Sequence, residues 1–503
     1  MENTPATMRP GSGIQNVLLI LTDEQRFDAL GANGNPHIQT PHLDAFAASA
    51  LNFQQHRVSC PICTPSRSSL LTGQYARTHG ALQPGFTLNR RAETLAHVLR
   101  REGYATGIFG KSHLEPECSG FNAAVDSELR DYYGFATARL SEDNLCGPYV
   151  QWLTREHPQW VSTAWAQANE EIHKPPAYGT DADGRLRATF ATELPPELSQ
   201  STWITRQTEA FIQAQTGASR PFFAVCSYVP PHHPWTPPRS CLERYDPASL
   251  PVPSRNPPGY GLPVPLSFYN DGSALRDEEL QRLTAAYYAL CTHVDDCIGQ
   301  LLQTLQASGA ADRTLVIFTS DHGDHLGDRG MIRKSATLFD NLIHVPLLVR
   351  VPGAAHARGA CHELTQHEDL APTVLNLLGL PVPRSFQGSS FAPILRQADD
   401  TRRPDQPPSP DRSILPLREH QFFEYPLVDQ PYARVGIGDR RYKLVRHHPD
   451  PGWILIDREA DPAEQINLAG SHDHAAVEQQ LRTALLDWLT STGLCYGPKP
   501  YSW

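Results

Sequence analysis

Four continuous apolar runs constrain the fold more than any other feature of the chain. "NVLLILT" (16–22), "YATGIF" (104–109), "PFFAVCSYV" (221–229) and "TLVIFT" (314–319) have the length and the β-branched or aromatic content of strands buried on both faces. Helical patterns lie between them. "ETLAHVLRREGY" (93–104) places Leu95, Val98 and Leu99 on one face and carries a glycine stop, and "RLTAAYYALCTHVDDCIGQLLQTLQASG" (282–309) predicts a long amphipathic helix. Strand and helix in alternation predict a doubly wound α/β sheet. At 503 residues the chain exceeds what one core usually accommodates, so one large domain and a smaller one are expected. No internal repeat is visible.

Ligands of such sheets bind beyond the carboxyl ends of the strands, so the residues just past each run are informative. Asp23 and Glu24 come after the first, Lys111 and His113 after the second, His232 and His233 after the third, and Asp321 and His322 after the fourth. A single strand-end carboxylate is usually a cap or a solvated loop residue. Four strands that all end in groups able to bind a metal or an anion are hard to explain by solvation.

"CPICTPSRSSLLTG" (60–73) admits three readings: a redox or zinc C-x-x-C, one cysteine at a helix start, or two buried thiols without chemistry. Thr64 reads as an N-cap, Pro65 as the first helical residue and Gly73 as the stop. Cys63 then lies just outside a helix N-terminus, where free N–H groups and the macrodipole favour an anion, and Arg67 can point back to the same place. A redox pair normally puts its first cysteine at the helix start, whereas here the second stands there. A zinc site lacks a second C-x-x-C or an H-x3-H partner.

Composition narrows the setting. Hydrophobic residues at 40% and charged residues at 19% describe a soluble globular protein, and a net charge of −11 without a basic block argues against a nucleic-acid partner. "MENTPATMRPGSG" carries no apolar h-region and no later run is long enough to span a bilayer, so no membrane association and a cytoplasmic location are expected. The ten cysteines are then expected to be thiols.

Taken together, these motifs resemble the formylglycine-dependent (type I) sulfatases of the alkaline-phosphatase superfamily. "CTPSRSSLLTG" matches that family's C-x-P-S-R signature and its Leu-Thr-Gly tail. "NVLLILTDEQ", "TPHLDAFA", "ETLAHVLRREGYATGIFGKSHL", "PFFAVCSYVPPHHPW", "SDHGDHLGDRGMIRKS", "VPLLVRVPG", "HEDLAPTVLNLLGLPVP" and "ILIDREADPAEQINLA" fall in the family's order over most of the chain. The resemblance implies an alkaline-phosphatase-like α/β fold with a large, mostly parallel sheet, and a sulfuric ester hydrolase. It also implies a maturation enzyme that oxidises Cys63 to formylglycine, whose gem-diol is the nucleophile. Cys60 becomes an ordinary neighbour.

Residue by residue, the resemblance implies that Asp23, Glu24, Asp321 and His322 ligate one divalent cation. Arg67 and Lys111 steady the diol and the sulfate oxygens, and His113 takes the diol's proton. His232 and Lys334 stand on the leaving-group side, with His233 the lesser choice of the two adjacent histidines. Two positions depart from the commonest pattern: Glu24 replaces a second Asp, and His322 replaces an Asn. The longer Glu24 side chain either reaches the metal differently or acts from behind the ligands. Oxygen-rich ligands suggest Ca²⁺, and the imidazole leaves room for Mn²⁺. The substrate implied is a small-molecule or carbohydrate sulfate ester. The alternatives are a phosphonate monoester or phosphodiester hydrolase with the same site, and a silent relative that binds sulfated glycans. Binding alone, however, would not need His113, His232 and Lys334 together.

The stretch from about Glu115 to Ser201 has few patterns; it either shapes the substrate pocket or packs on itself as a surface insertion. "DDTRRPDQPPSPDR" (399–412) reads as a linker between a catalytic domain, 1–398, and a C-terminal subdomain, 399–503. In the latter, "YARVGIGDRRYKLVRHH" and "WILIDREAD" predict short antiparallel strands and "HAAVEQQLRTALLDWLTSTG" a terminal helix, a small α+β unit.

Overall fold

The computed structural model describes residues 13–116, 131–145, 147–168, 191–261, 271–354, 357–397, 418–426, 434–448 and 452–493; the 399–412 stretch and parts of the 115–201 stretch lie outside them. The strands are β1 (Asn16–Thr22), β2 (Leu51–Phe53), β3 (His56–Arg57), β4 (Ala105–Gly110), β5 (Thr137–Leu140), β6 (Phe222–Ser227), β7 (Thr314–Ser320), β8 (Leu347–Arg350), β9 (Gly359–Cys361) and β10 (Thr365–Gln366). Beyond them come β11 (Gln421–Tyr425), β12 (Arg434–Gly438), β13 (Tyr442–His447) and β14 (Trp453–Asp457).

Eight strands form one sheet in the order β5-β4-β6-β1-β7-β8-β2-β9. All pairings are parallel except those of β8, which runs against both β7 and β2. All four apolar runs are strands, and they are the four neighbours at its centre. Side chains of β1 alternate between the two faces, Val17, Leu19 and Leu21 entering one core and Leu18 and Ile20 the other. Burying each such aliphatic side chain is worth about 1.5–3 kcal/mol, which is why both faces must be covered. Helices Cys63–Thr72, Leu95–Arg101 and Leu370–Leu377 cover the first face; Gln200–Gly217 and Asp277–Ala307 cover the second.

Element ends differ from expectation for local reasons. The long helix begins at Asp277 rather than 282, because Asp277, Glu278 and Glu279 suit the positive end of its dipole and Glu279 Oε2 accepts the Arg276 N–H at 2.7 Å. The helix after Cys60 begins at Cys63 itself, with Ile62 as N-cap and Gly73 at φ 62° closing it, so Cys63 stands inside the first turn rather than outside it. Thr64 does not cap. The first turn is fixed instead by tertiary bonds, with Ser66 Oγ donating to the Asp321 carbonyl at 2.5 Å.

The C-terminal sheet is antiparallel, β11-β12-β13-β14, and includes β11, which the sequence did not single out. Leu481, Leu485 and Trp488 of helix Ala475–Ser491 pack on Ile437, Leu444 and Leu455. Lys443 of β13 donates to the Leu338 carbonyl at 2.7 Å and to Asp340 Oδ1 at 2.8 Å. This anchors the segment that comes after Lys334.

Candidate active site

Five adjacent strands, β5, β4, β6, β1 and β7, deliver their carboxyl ends to one place. β1 leads into Asp23 and Glu24, β7 into Asp321 and His322, β4 into Lys111 and His113, and β6 into the loop of His232 and His233. Glu24 and His113 adopt left-handed backbones, φ 65° and 51°, which non-glycine residues rarely hold without a tertiary constraint.

Asp23, Cys63, Asp321 and His322 offer donor atoms all within 4.8 Å of one another, and all four residues are buried. Cys63 Sγ lies 3.2 Å from His322 Nε2 and 3.7 Å from Asp23 Oδ1. His322 Nδ1 is 2.8 Å from the Gly323 carbonyl, an acceptor only, so Nδ1 carries a proton and Nε2 faces the group. Arg67 bridges the acids: Nε donates to Asp321 Oδ2 at 2.7 Å and Nη2 to Asp23 Oδ2 at 3.1 Å, while Nη1 donates to Ser227 Oγ and the Lys111 carbonyl.

The electrostatics match this grouping. Burial opposes the charge of Asp23, but Lys111, His232, Arg67 and Lys334 together outweigh it and hold the carboxyl well below its usual range. Asp321 goes the other way: burial, joined by the charge of Asp23, pushes it up despite Arg67. Two buried acids, an imidazole nitrogen and the residue-63 position could together hold one divalent cation. The residues fit the ion.

Glu24 belongs to an adjoining group with His232 and His233. Its Oε1 accepts from Lys334 Nζ at 2.7 Å and lies 3.6 Å from His232 Nε2; its Oε2 lies 3.2 Å from His233 Nδ1. Among the four expected ligands, the structure therefore brings three together with Cys63 and sets Glu24 beside Lys334 and the two histidines. Lys334 Nζ also reaches Cys63 Sγ at 3.2 Å; burial opposes its charge, but the carboxylates of Glu24 and Asp23 help to outweigh it and keep Lys334 an ammonium. His113 is pushed well down, first by burial and then by Lys111. The two adjacent histidines stack, ring centroids 3.9 Å apart, and both border Glu24.

The thiols answer the C-x-x-C question. Burial, then Asp23, pushes Cys63 well above its ordinary range; burial, then Glu424 and Glu368, does the same to Cys60. Both are free cysteines, and neither has the depressed pKa of a redox dithiol.

Sequence reasoning missed Asp143. It lies just past β5, a four-residue strand, "TARL", whose mixed polarity gives no strand signal. Asp143 accepts from Lys111 Nζ with both oxygens, at 2.6 and 2.7 Å, and its Oδ2 lies 3.5 Å from His232 Nε2.

A metal-ready acid pair and a ring of cations at the carboxyl edge of a mostly parallel sheet define an alkaline-phosphatase-like hydrolase. The chain belongs to the sulfatase family, the sulfuric ester hydrolases of that superfamily: the sulfatase family model matches residues 15–380, and the model of the N-sulphoglucosamine sulphohydrolase C-terminal region matches 327–490. It is 30% identical to the multifunctional alkaline phosphatase superfamily protein PehA of Trinickia caryophylli, over 95% of each chain. It is 28% identical to an arylsulfatase of Clostridium perfringens, over 94% of this chain and 93% of that one. In structure it is similar to the phosphonate monoester hydrolase of Agrobacterium radiobacter, with a TM-score of 0.75, 27% identity and 95% of each chain covered.

Proposed function

We propose that this sulfatase cleaves a sulfate monoester with Cys63 converted to formylglycine and one divalent cation, Ca²⁺ first and Mn²⁺ second, held by Asp23, Asp321, His322 and residue 63. The observation that carries this reading is the convergence of three buried donors, Asp23, Asp321 and His322, on Cys63 in the first turn of a helix, ringed by Arg67, Lys111 and Lys334. A thiol kept protonated by burial is a poor nucleophile, which favours an oxygen at this position.

When bound, the cation supplies charge neutralisation and polarisation of a sulfate oxygen. Formylglycine supplies an oxygen nucleophile and, in its second hydroxyl, a release route that needs no second attack on sulfur. The chain's own residues do the rest. Arg67 fixes the separation of Asp23 and Asp321. Lys111 brings preorganised positive charge to the sulfate oxygens. His113, kept neutral, accepts the proton that must leave for the aldehyde to re-form. Lys334 Nζ, held by Glu24, gives a proton to the departing alcohol beside His232. The free, buried cysteines among the described residues are consistent with a reducing, cytoplasmic setting.

A second reading, a phosphonate monoester hydrolase, is favoured by the similarity to the Agrobacterium radiobacter enzyme. Phosphonates and phosphodiesters share the single negative charge of a sulfate monoester but carry a second organic substituent, which would face polar donors such as Lys111, His232 and Lys334. Each lost hydrogen bond there costs about 1–3 kcal/mol. An aryl sulfate is therefore expected to exceed the matching phenylphosphonate monoester in kcat/KM by at least about tenfold. Equal or reversed values assign the chain to the phosphonate branch.

A further inference from the structure

Asp143 stands where an anion pocket would be expected to hold only donors. Lys111 has three N–H groups. Its Nζ lies 2.8 Å from Asp23 Oδ2 and 2.6 and 2.7 Å from the two oxygens of Asp143. Asp143 Oδ2 also lies 3.5 Å from His232 Nε2. Two of the groups proposed above to face the sulfate thus already face a carboxylate. Three nearby acids have other partners: Asp23 and Asp321 in the four-donor group, Glu24 on Lys334. Asp143 differs from all three in reaching the surface, its side chain 17% exposed where those of Asp23, Asp321 and Glu24 are fully covered.

We propose that Asp143 is a charge-selecting residue of the anion pocket, one that admits singly charged esters and disfavours doubly charged anions. This rests on the sulfatase reading of the site. Any anion that reaches Lys111 shares its protons with Asp143 and sits against a fixed negative charge in a region of low dielectric, and each further negative charge on the ligand adds to that repulsion. A sulfate monoester carries one charge. A phosphate monoester at pH 8 carries close to two, and so does the inorganic sulfate that hydrolysis releases. The same carboxylate that rejects phosphate monoesters therefore also helps expel the product.

The test compares wild type with Asp143→Asn and Asp143→Glu at pH 8, on 4-nitrophenyl sulfate and 4-nitrophenyl phosphate, with inorganic sulfate as inhibitor. In Asp143→Asn the phosphate-to-sulfate ratio of kcat/KM is expected to rise at least about tenfold and the Ki of inorganic sulfate to fall by a similar factor. Asp143→Glu is expected to keep the wild-type values, because it keeps the charge. A parallel change on both esters with an unchanged Ki would overturn the proposal and leave Asp143 as a positioning residue for Lys111. Calorimetric titration of the same proteins with methyl sulfate and inorganic sulfate reads the discrimination without turnover. A protein that hydrolyses neither ester would sink the sulfatase reading, while the calorimetric ratio would still decide the role of Asp143.

Discussion

Glu24 Oε1 lies 2.7 Å from Lys334 Nζ, so the acidic neighbour of Asp23 is bound to a cation of the chain itself. Glu24→Gln is therefore expected to retain one divalent ion per chain, measured by elemental mass spectrometry, while kcat/KM for a sulfate ester falls about ten- to hundredfold. That range corresponds to losing a charge-assisted hydrogen bond of about 1.5–3 kcal/mol that orients Lys334. Loss of the ion from the Glu24→Gln protein would return Glu24 to the ligand set.

The two cysteines of the C-x-x-C segment are expected to separate cleanly. Cys63→Ala should abolish turnover, because the proposed reactive group is made from that side chain. Cys60→Ala should leave kcat within about threefold, with a stability loss of about 1 kcal/mol for a buried thiol. Peptide mass spectrometry of the 60–73 segment is expected to find formylglycine at 63 when the protein is made alongside a maturation enzyme. An unmodified thiol in fully active protein would remove the proposal.

How much of this was legible depends on where each residue gets its address. The central strands were legible because both faces are buried and the runs are continuous, as in β1 and β7. Residues at their carboxyl ends, such as Asp23, Lys111 and Asp321, inherit that clarity. Asp143 does not, since β5 has a single buried residue and no periodic signal. Glu24 was visible as a residue but not as a partner of Lys334. Its φ of 65° turns the chain immediately after Asp23, so two consecutive acids reach different neighbours. The start of the helix at Cys63 was misplaced for a related reason: Ser66 and Arg67 bond to the end of β7, a contact 254 or 255 residues away in sequence, and that contact overrides the cap that Thr64 offers locally.

Removal of the cation is expected to inactivate the protein without unfolding it. Arg67 already bonds both Asp23 and Asp321, so the acid pair keeps partial compensation when the ion leaves. A chelated sample should keep its far-UV spectrum and a cooperative melt. Its stability should drop by about 2–3 kcal/mol, the linkage expected for a ligand near a hundredfold excess over its Kd. Asp321→Ala should lose both the ion and the activity. Full turnover after exhaustive chelation would remove the ion from the reaction.

The last prediction concerns pH and a buried acid behind the site. Glu368 is fully buried, its Oε1 accepts from Ser59 Oγ, and burial pushes its carboxyl up to about 7 from an ordinary 4.5. Glu424, with the same cause first, is also pushed up to about 7. Between pH 4.5 and 7 the folded chain holds protons at these groups that the unfolded chain has released. Stability therefore falls as pH rises through that window and levels off above it. Glu368→Gln keeps the shape and removes the titration. It is expected to be more stable than wild type at pH 8, by about 1–3 kcal/mol, with most of that gain gone at pH 5, where the native glutamate is neutral in the fold. Calorimetric melting of both proteins at the two pH values measures it. A Glu368→Gln protein that gains nothing at pH 8 over pH 5 would mean that Glu368 is ionised and stably partnered in the native state.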